Sequence, residues 1–157
     1  MHKIFVILLF LQLLVAPVFA DAKSFSGKVV KVSDGDTIQV MHDGKAEKIR
    51  LAGIDCPESK QPFGQAAKRF VLEIAAQKTV TVYVETTDRY GRTVGEVILS
   101  DGRNLNQELV RAGYAWWYRK YSSDHVLAAL ESEARNARRG LWSDPTSTPP
   151  WEWRQKK

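Results

Sequence analysis

The feature that most limits the possible folds is a series of five short segments in which apolar and polar residues alternate. A helical segment is inserted after the third of them. The first three segments read FSGKVVKV, TIQVM and AEKIRLAGI, and the Asp-Gly within the intervening HDGK is a good hairpin signal. The last two segments read TVTVYVE and TVGEVILS. This order predicts a three-stranded meander, a helix and two further strands. We therefore expect a mainly β protein with α-helices, built on a five-stranded barrel of the OB-fold type.

Three helical segments accompany the predicted strands. Residues 64–76 carry apolar side chains at helical spacing, which predicts a helix with one buried face. Asn104, followed three residues later by Gln107, resembles a capping box and opens a second helix that Gly113 ends. A third helix is predicted over residues 126–138. We expect about three helices packed on the barrel.

The first twenty residues have the features of a signal peptide. Lys3 provides a short positive start, residues 4–15 form an apolar run, and PVFA before Asp21 offers small residues for cleavage. The apolar run is too short to span a bilayer, and the alternative is an uncleaved anchor. We predict a secreted or periplasmic protein without stable membrane association after residues 1–20 are removed.

Removal of residues 1–20 leaves 137 of the 157 residues, which is enough for one domain with a single core. We assign residues 21–143 to this domain and residues 144–157, which contain Pro and Trp, to a C-terminal tail. We expect a monomer. Because Lys3 is the one charged residue of the removed segment, the formal net charge falls from +5 to +4. A basic protein suits a polyanionic partner, although many exported proteins are basic.

Cysteine and histidine usage limits the metal chemistry. Cys56 is the only cysteine, so neither an internal disulfide nor a cysteine-based zinc site can form. The three histidines are scattered along the chain. Any metal ligands are therefore expected to be carboxylates and carbonyl groups.

Acidic residues occur at two places that a hairpin brings close together. Asp34 and Asp36 lie where the second strand begins, and Asp55 follows the end of the third. Asp36 and Asp55 could meet there as two hard oxygen ligands for calcium or magnesium. The other interpretation of the Asp-Gly-Asp sequence is a pair of ordinary turn aspartates.

A charged turn, TDRYGR, separates the fourth and fifth predicted strands. Arginine can hold a phosphate through two parallel hydrogen bonds and retains its charge in a partly dry site. Alone, the pattern is more typical of a solvated turn.

Together, DGDT, RLAGIDCPE and DRYGR, in this order, resemble the motifs of the thermonuclease family, the staphylococcal nuclease-like enzymes. The resemblance extends from the first strand to SEARNARRGLW in the last helix. It implies an OB-fold barrel with packed helices that hydrolyses phosphodiester bonds of DNA and RNA with calcium. It further implies little sequence specificity and products that end in a 3′-phosphate.

The resemblance assigns the acidic residues to metal binding and to activation of water. Asp36 and Asp55 are expected to hold the calcium ion, with the backbone carbonyl of Cys56 as a further ligand. Glu58 is expected to position or deprotonate the attacking water. The family commonly has a threonine or a small residue where Cys56 stands, and ligation through the carbonyl tolerates this change of side chain.

The resemblance assigns the basic residues to the substrate. Arg50 and Arg92 are expected to bind the scissile phosphate, and Arg89 and Tyr90 match nucleotide-contacting positions. These residue types suit the reaction, because phosphodiester hydrolysis builds negative charge on a centre that already repels nucleophiles. A carboxylate within hydrogen-bond reach of water can contribute a further ~10²- to 10⁴-fold.

Two aromatic segments leave alternatives open. In YAWWYRKY, we expect Trp116 or Trp117 in the core and Tyr118 or Tyr121 available to stack on a nucleobase, with Tyr118 chosen as the substrate contact. PPWEWRQKK is either a tail that docks its tryptophans on the barrel or a mobile basic tail that touches the substrate.

Two other functions are compatible with parts of this pattern. A non-catalytic OB-fold protein that binds nucleic acid would keep the basic surface and the aromatic residues but would not need Glu58 or the acidic ligands. A secreted interaction or inhibitor module would use the aromatic face for a protein partner. It gives no reason for the acidic and arginine motifs to occur together.

Overall fold

The structure is a computed structural model, and it describes residues 23–156. The predicted signal peptide at residues 1–20 lies outside this range. Within it, no helix combines the length and the apolar character needed to cross a membrane.

Seven strands occur in the described residues, and five of them form a closed barrel. The strands are β1 (Ser24–Asp34), β2 (Thr37–His42), β3 (Lys45–Leu51), β4 (Ile54–Asp55), β5 (Thr79–Thr87), β6 (Thr93–Leu99) and β7 (Trp116–Trp117). The order around the barrel is β1–β2–β3–β6–β5. All neighbouring pairs are antiparallel except β3 and β6, which are parallel and close the barrel. The predicted five-stranded barrel is confirmed.

Turn chemistry explains how β2, β3 and β4 follow one another. Asp43 and Gly44 have φ values of 47° and 75°, and positive φ at both central residues is typical of the tight hairpin turn that matches strand twist. The prediction that the third strand continues through Ile54 is wrong, because β3 ends at Leu51. Gly53 has φ 72°, which interrupts the strand after Leu51. The chain then resumes as β4 and pairs with β7.

Four α-helices occur in the described residues, and the first two pack directly on the barrel. They are α1 (Gly64–Ala75), α2 (Leu105–Arg111), α3 (His125–Asn136) and α4 (Pro150–Trp153), with short 3-10 turns at Gly140–Ser143 and Arg154–Lys156. The first three agree with the predicted helices. The Asn104 side chain accepts a hydrogen bond from the Gln107 backbone N–H at 3.2 Å, as expected of an N-cap. The fourth helix is a single turn in the tail that the sequence did not predict.

Alternate residues of the strands fill the barrel with aliphatic side chains. Fully buried members include Val29, Ile38, Val40, Ile49, Val80, Val82 and Val97. Helix α1 covers part of the core with Ala67, Val71 and Ala75, which are also fully buried. Burying one such valine or isoleucine side chain contributes roughly 1.5–3 kcal/mol. This packing makes the barrel a rigid scaffold from which the loops that carry the site residues extend.

Two buried polar side chains fix the segment that leaves β3. Asn106 is 2% exposed and donates to the carbonyl oxygens of Ala52 and Gly95, at 2.9 and 3.2 Å. Glu131, also 2% exposed, accepts a hydrogen bond from the Trp117 N–H at 3.2 Å and so ties α3 to β7. The Asn106 contact restrains the backbone at Ala52, shortly before Asp55. The Glu131 contact acts on Asp55 through β7, which pairs with β4.

Candidate active site

One cavity of about 850 Å³ opens beside the barrel where β3, β4 and the β5–β6 hairpin meet. All nine residues that the sequence singled out line it: Asp36, Arg50, Asp55, Cys56, Glu58, Arg89, Tyr90, Arg92 and Tyr118. The fold thus brings three motifs that are far apart in the sequence to one surface.

An acidic pair and an arginine form the buried end of this cavity. Thr37 pairs with Arg50 across β2 and β3, which places Asp36 beside the end of β3. The Arg50 Nη2 atom lies 3.3 Å from Asp36 Oδ2 and 3.1 Å from Asp55 Oδ1. The Cys56 N–H donates to Asp36 Oδ2 at 2.7 Å. The two carboxylates therefore converge on a single guanidinium.

A third carboxylate, Asp34, lies in the same cavity and was not among the predicted site residues. Its pKa is raised to about 7 by burial and by repulsion from Asp36. Burial also raises the pKa of Asp55, while a hydrogen bond from Arg154 opposes the rise. The signal for Asp34 was present in the sequence, since it precedes Asp36 by two residues in SDGDT.

The donors at this end of the cavity fit a hard cation. Within residues 23–156, no group of three His, Cys, Asp or Glu side chains has the arrangement of a metal site. The expected ligand set does not need three, because it joins the carboxylates of Asp36 and Asp55 to a backbone carbonyl. Crowded carboxylates with raised pKa values mark a place where added positive charge is favourable. All three expected donors are oxygen atoms, the type that calcium prefers.

Glu58 lies at the rim of the cavity, and its side chain is 36% exposed. Its Oε1 atom accepts a hydrogen bond from Arg154 Nη1 at 2.8 Å. Its backbone N–H donates to Gln61 Oε1 at 3.0 Å. Neither partner was predicted, and Arg154 in particular lies 96 residues further along the chain.

The turn between β5 and β6 presents the second arginine motif. The side chain of Asp88 accepts hydrogen bonds from the Tyr90 and Arg92 N–H groups and from Arg92 Nε, at 2.9, 3.0 and 2.7 Å. The Arg92 Nη atoms have no protein hydrogen bond within the described residues, and its side chain is 28% exposed. Arg89 packs over the Tyr90 ring at 4.8 Å, and Tyr90 is 69% exposed.

The aromatic cluster is divided between the core and the cavity. Trp116 is 7% exposed, as expected of a core residue, whereas Tyr121 is 67% exposed. Tyr118 stacks on Trp151 with ring centroids 5.2 Å apart and an interplanar angle of 5°. One face of Tyr118 is therefore covered by the tail, which docks on the domain in this structure.

The Cys56 thiol faces the core rather than the cavity. The residue is 3% exposed, and a Cβ built on Gly35 would lie only 3.0 Å from its sulfur atom. Burial raises the thiol pKa well above its usual range, so the thiol stays protonated. The side chain thus packs against Gly35 and contributes little to the chemistry of the cavity.

Replacing Cys56 with serine is therefore expected to affect stability more than activity. A buried hydroxyl without a partner should lower the free energy of unfolding by about 1–3 kcal/mol. Activity per folded molecule should stay within about threefold of wild type, far from the 10- to 100-fold loss typical of a damaged metal environment. Thermal melts and cleavage rates measure the two effects separately. A folded but inactive Cys56→Ser would show that the side chain takes part in the reaction.

Comparison with known proteins finds relatives that are named as nucleases. Residues 48–144 match the family model described as staphylococcal nuclease homologue. The chain is 52% identical over 131 residues to a protein named uncharacterized endonuclease from Escherichia coli O157:H7, which covers 83% of this chain and 86% of that protein. It is 40% identical over 149 residues to a protein named micrococcal nuclease from Shigella flexneri, covering 88% and 84% respectively.

The predicted family is confirmed by this match, which spans more than half of the chain and includes the second and third motifs. The prediction of a hydrolytic nuclease agrees with the family and with the names of both relatives. The chain belongs to the staphylococcal nuclease homologue family.

Proposed function

We propose that this protein is an exported, calcium-dependent nuclease that hydrolyses phosphodiester bonds of DNA and RNA with little sequence specificity. The observation that carries the proposal is the convergence of Asp36 and Asp55 on Arg50, in the same cavity that Glu58 and Arg92 line. The reaction needs positive charge around the phosphate and a base for the attacking water. These five residues offer both within one cavity.

Asp36, Asp55 and the backbone carbonyl of Cys56 are the residues that would hold the calcium ion. When bound, the ion supplies a Lewis acid that stabilises the negative charge developing on the phosphate. The Cys56 N–H and Arg50 already hold Asp36 Oδ2, and Arg50 also holds Asp55. Both carboxylates are therefore oriented by the protein itself.

Arg50 and Arg92 bind the scissile phosphate from two sides of the cavity. Arg50 is anchored at the buried end, where its Nη1 donates to the Leu51 carbonyl oxygen at 2.7 Å. Arg92 is anchored through Nε by Asp88, which leaves its two Nη groups for substrate oxygens. A guanidinium held in this way stabilises charge in the transition state without reorganising.

Glu58 accepts the proton of the attacking water. One of its oxygens, Oε1, is engaged by Arg154, and the structure gives Oε2 no protein hydrogen bond within the described residues. A carboxylate has about four lone-pair sites, so the contact with Arg154 leaves Glu58 able to accept a proton.

Arg89, Tyr90 and Tyr118 contact the flanking nucleotide. Arg89 and Tyr90 lie on the exposed hairpin turn, and Tyr118 lies across the same cavity. Aromatic rings stack on any base, which accounts for a lack of sequence specificity.

Export is supported by the sequence, and a monomeric state is proposed with it. Residues 1–20 have the pattern of a signal peptide, and the remaining chain has a length suited to one domain. We propose a secreted or periplasmic monomer that does not associate stably with membranes.

Calcium-dependent cleavage is tested with supercoiled plasmid DNA and with RNA. Purified protein is expected to nick and then degrade both in calcium, and to stop when a chelator removes the ion. Undiminished cleavage in excess chelator would refute the calcium requirement. Binding of both nucleic acids without any cleavage would instead identify a non-catalytic binding protein.

The ends of the products and the preference between single and double strands test the proposed function further in the same assay. End-labelling should find 3′-phosphate termini, and 3′-hydroxyl ends would contradict the proposed cleavage position. Single strands should be cut faster than duplexes, because an unpaired backbone fits an open site more easily.

A further inference from the structure

The C-terminal segment of residues 148–154 docks beside the candidate active site. The Thr148 carbonyl oxygen accepts a hydrogen bond from Gln61 Nε2 at 2.6 Å. Pro150 is buried, and Trp151 contacts both Tyr118 and Trp116, with centroid distances of 5.2 and 5.7 Å. The segment is thus held by a hydrogen bond just before α4 and by aromatic packing of a residue within α4.

This docking places Arg154 against two carboxylates of the cavity. Its Nη2 atom lies 2.9 Å from Asp55 Oδ2. Its Nη1 atom lies 2.8 Å from Glu58 Oε1 and 3.4 Å from Asp55 Oδ1. A planar guanidinium can bridge two carboxylates in this way, whereas the ammonium group of lysine acts as a point charge.

Gln61 links the same segment to the backbone of Glu58. It is 6% exposed, and while its Nε2 group binds Thr148, its Oε1 atom accepts the Glu58 N–H at 3.0 Å. Glu58 is therefore restrained at its side chain by Arg154 and at its backbone by Gln61. The first restraint comes from residues 148–154 directly, and the second involves a side chain that is itself bonded to Thr148.

We propose that Arg154 is a positioning residue of the nuclease, and that residues 148–154 form part of the active site. Arg154 fixes the relative positions of Asp55 and Glu58, the expected metal ligand and the expected base. The expected effect on catalysis rests on the proposed function, whereas the contacts of Arg154 are independent of it. Misplacing a base by even a small distance slows a reaction considerably, because productive geometry is narrow.

The carboxylates keep capacity for their other roles in this arrangement. Each carboxylate oxygen can accept about two hydrogen bonds or ligands, so Asp55 can contact Arg154 and a cation together. The Oε2 atom of Glu58 has no protein hydrogen bond within residues 23–156. Arg154 can therefore orient both groups while they act.

The test compares Arg154→Ala and Arg154→Lys with Lys156→Ala, which removes another exposed cation of the same tail. We expect Arg154→Ala to lower kcat about 10- to 100-fold, the range found when a group that orients an active-site residue is lost. KM should change by less than about threefold, because both Nη groups of Arg154 are engaged by Asp55 and Glu58 rather than left free for the substrate. Arg154→Lys should recover part of kcat, and Lys156→Ala should match the wild type.

Hydrogen exchange provides a measurement that does not need activity. Peptides covering residues 55–61 should exchange faster in Arg154→Ala than in wild type or in Lys156→Ala, because the contacts of Arg154 with the side chains of Asp55 and Glu58 are lost. Tryptophan fluorescence reports whether the tail stays docked in each variant. If Arg154→Ala releases the tail, the comparison relies on Arg154→Lys with the tail still docked. Its kcat then shows whether positive charge is enough or whether a guanidinium must bridge the two carboxylates.

Unchanged or increased kcat in Arg154→Ala would overturn the proposal, and an increase would identify the tail as an obstruction of the site. A loss confined to KM would overturn it as well and would indicate substrate binding. A wild-type protein without cleavage activity would reject the proposed function instead. In that case faster exchange at residues 55–61 in Arg154→Ala would still establish Arg154 as one restraint on the segment that carries Asp55 and Glu58.

Discussion

Replacing Glu58 with glutamine is expected to lower the turnover of phosphodiester cleavage by about 10²- to 10⁴-fold, the usual contribution of a general base. Glutamine has almost the same shape, and its amide oxygen can still accept the hydrogen bond that Arg154 donates to Glu58. It cannot accept a proton from water. Because the side chain is 36% exposed, the fold should tolerate the change.

The measurement combines turnover, substrate affinity and a thermal melt for Glu58→Gln. The matched control is Glu73→Gln, which changes an exposed glutamate on α1, outside the cavity. Affinity for the nucleic acid should change little, and both variants should melt close to the wild type. A Glu58→Gln protein that retains a tenth or more of the wild-type rate would exclude Glu58 as the base, since the expected loss begins near 10²-fold.

Arg92→Lys and Arg92→Ala are both expected to lose about 10²- to 10³-fold in turnover, as when one preorganised donor to the transition state is removed. The physical reason is geometric. Asp88 fixes Arg92 through Nε, so the Nη groups are presented as a rigid fork that lysine cannot reproduce. If Arg92 supplied only positive charge, lysine would preserve most of the rate, because a partly exposed charge is screened and tolerant of position.

Turnover and nucleotide affinity of the two Arg92 variants distinguish these cases. Arg103→Lys is the control, because Arg103 also forms an ion pair with a nearby aspartate, Asp101, but lies outside the cavity. Substrate affinity should fall much less than turnover, and the thermal melts should remain close to the wild type. A lysine variant within about threefold of the wild-type rate would reject the bidentate role and leave Arg92 as general electrostatics.

The site could be anticipated in part because its residues follow strand ends. Asp36 and Asp55 were expected to be close, since a hairpin joins the start of one strand to the end of its partner. The pairing of Thr37 with Arg50 produces this proximity. The roles of these residues remain predictions, whereas their common location on one cavity is a property of the fold.

Other features of the site had no clear local signal. WEWR near the end of the chain does not reveal that Arg154 reaches Asp55 and Glu58, or that Trp151 covers Tyr118. The pKa of Asp34 depends on burial and on Asp36, and burial is known only once the barrel has closed around it. The third strand also ended earlier than its apolar pattern suggested, because Gly53 adopts a positive φ.

By itself, the sequence determined the five barrel strands and the first three helices in outline, where the Asp-Gly hairpin turns, and which acidic and basic motifs occur in order. These properties depend on side-chain alternation, capping and turn chemistry within about ten residues. Only the tertiary structure decided that β3 and β6 close the barrel in parallel, that β4 pairs with β7, and that the tail reaches the cavity. Such contacts join residues up to 99 positions apart, and they form only where packing of the whole domain brings the segments together.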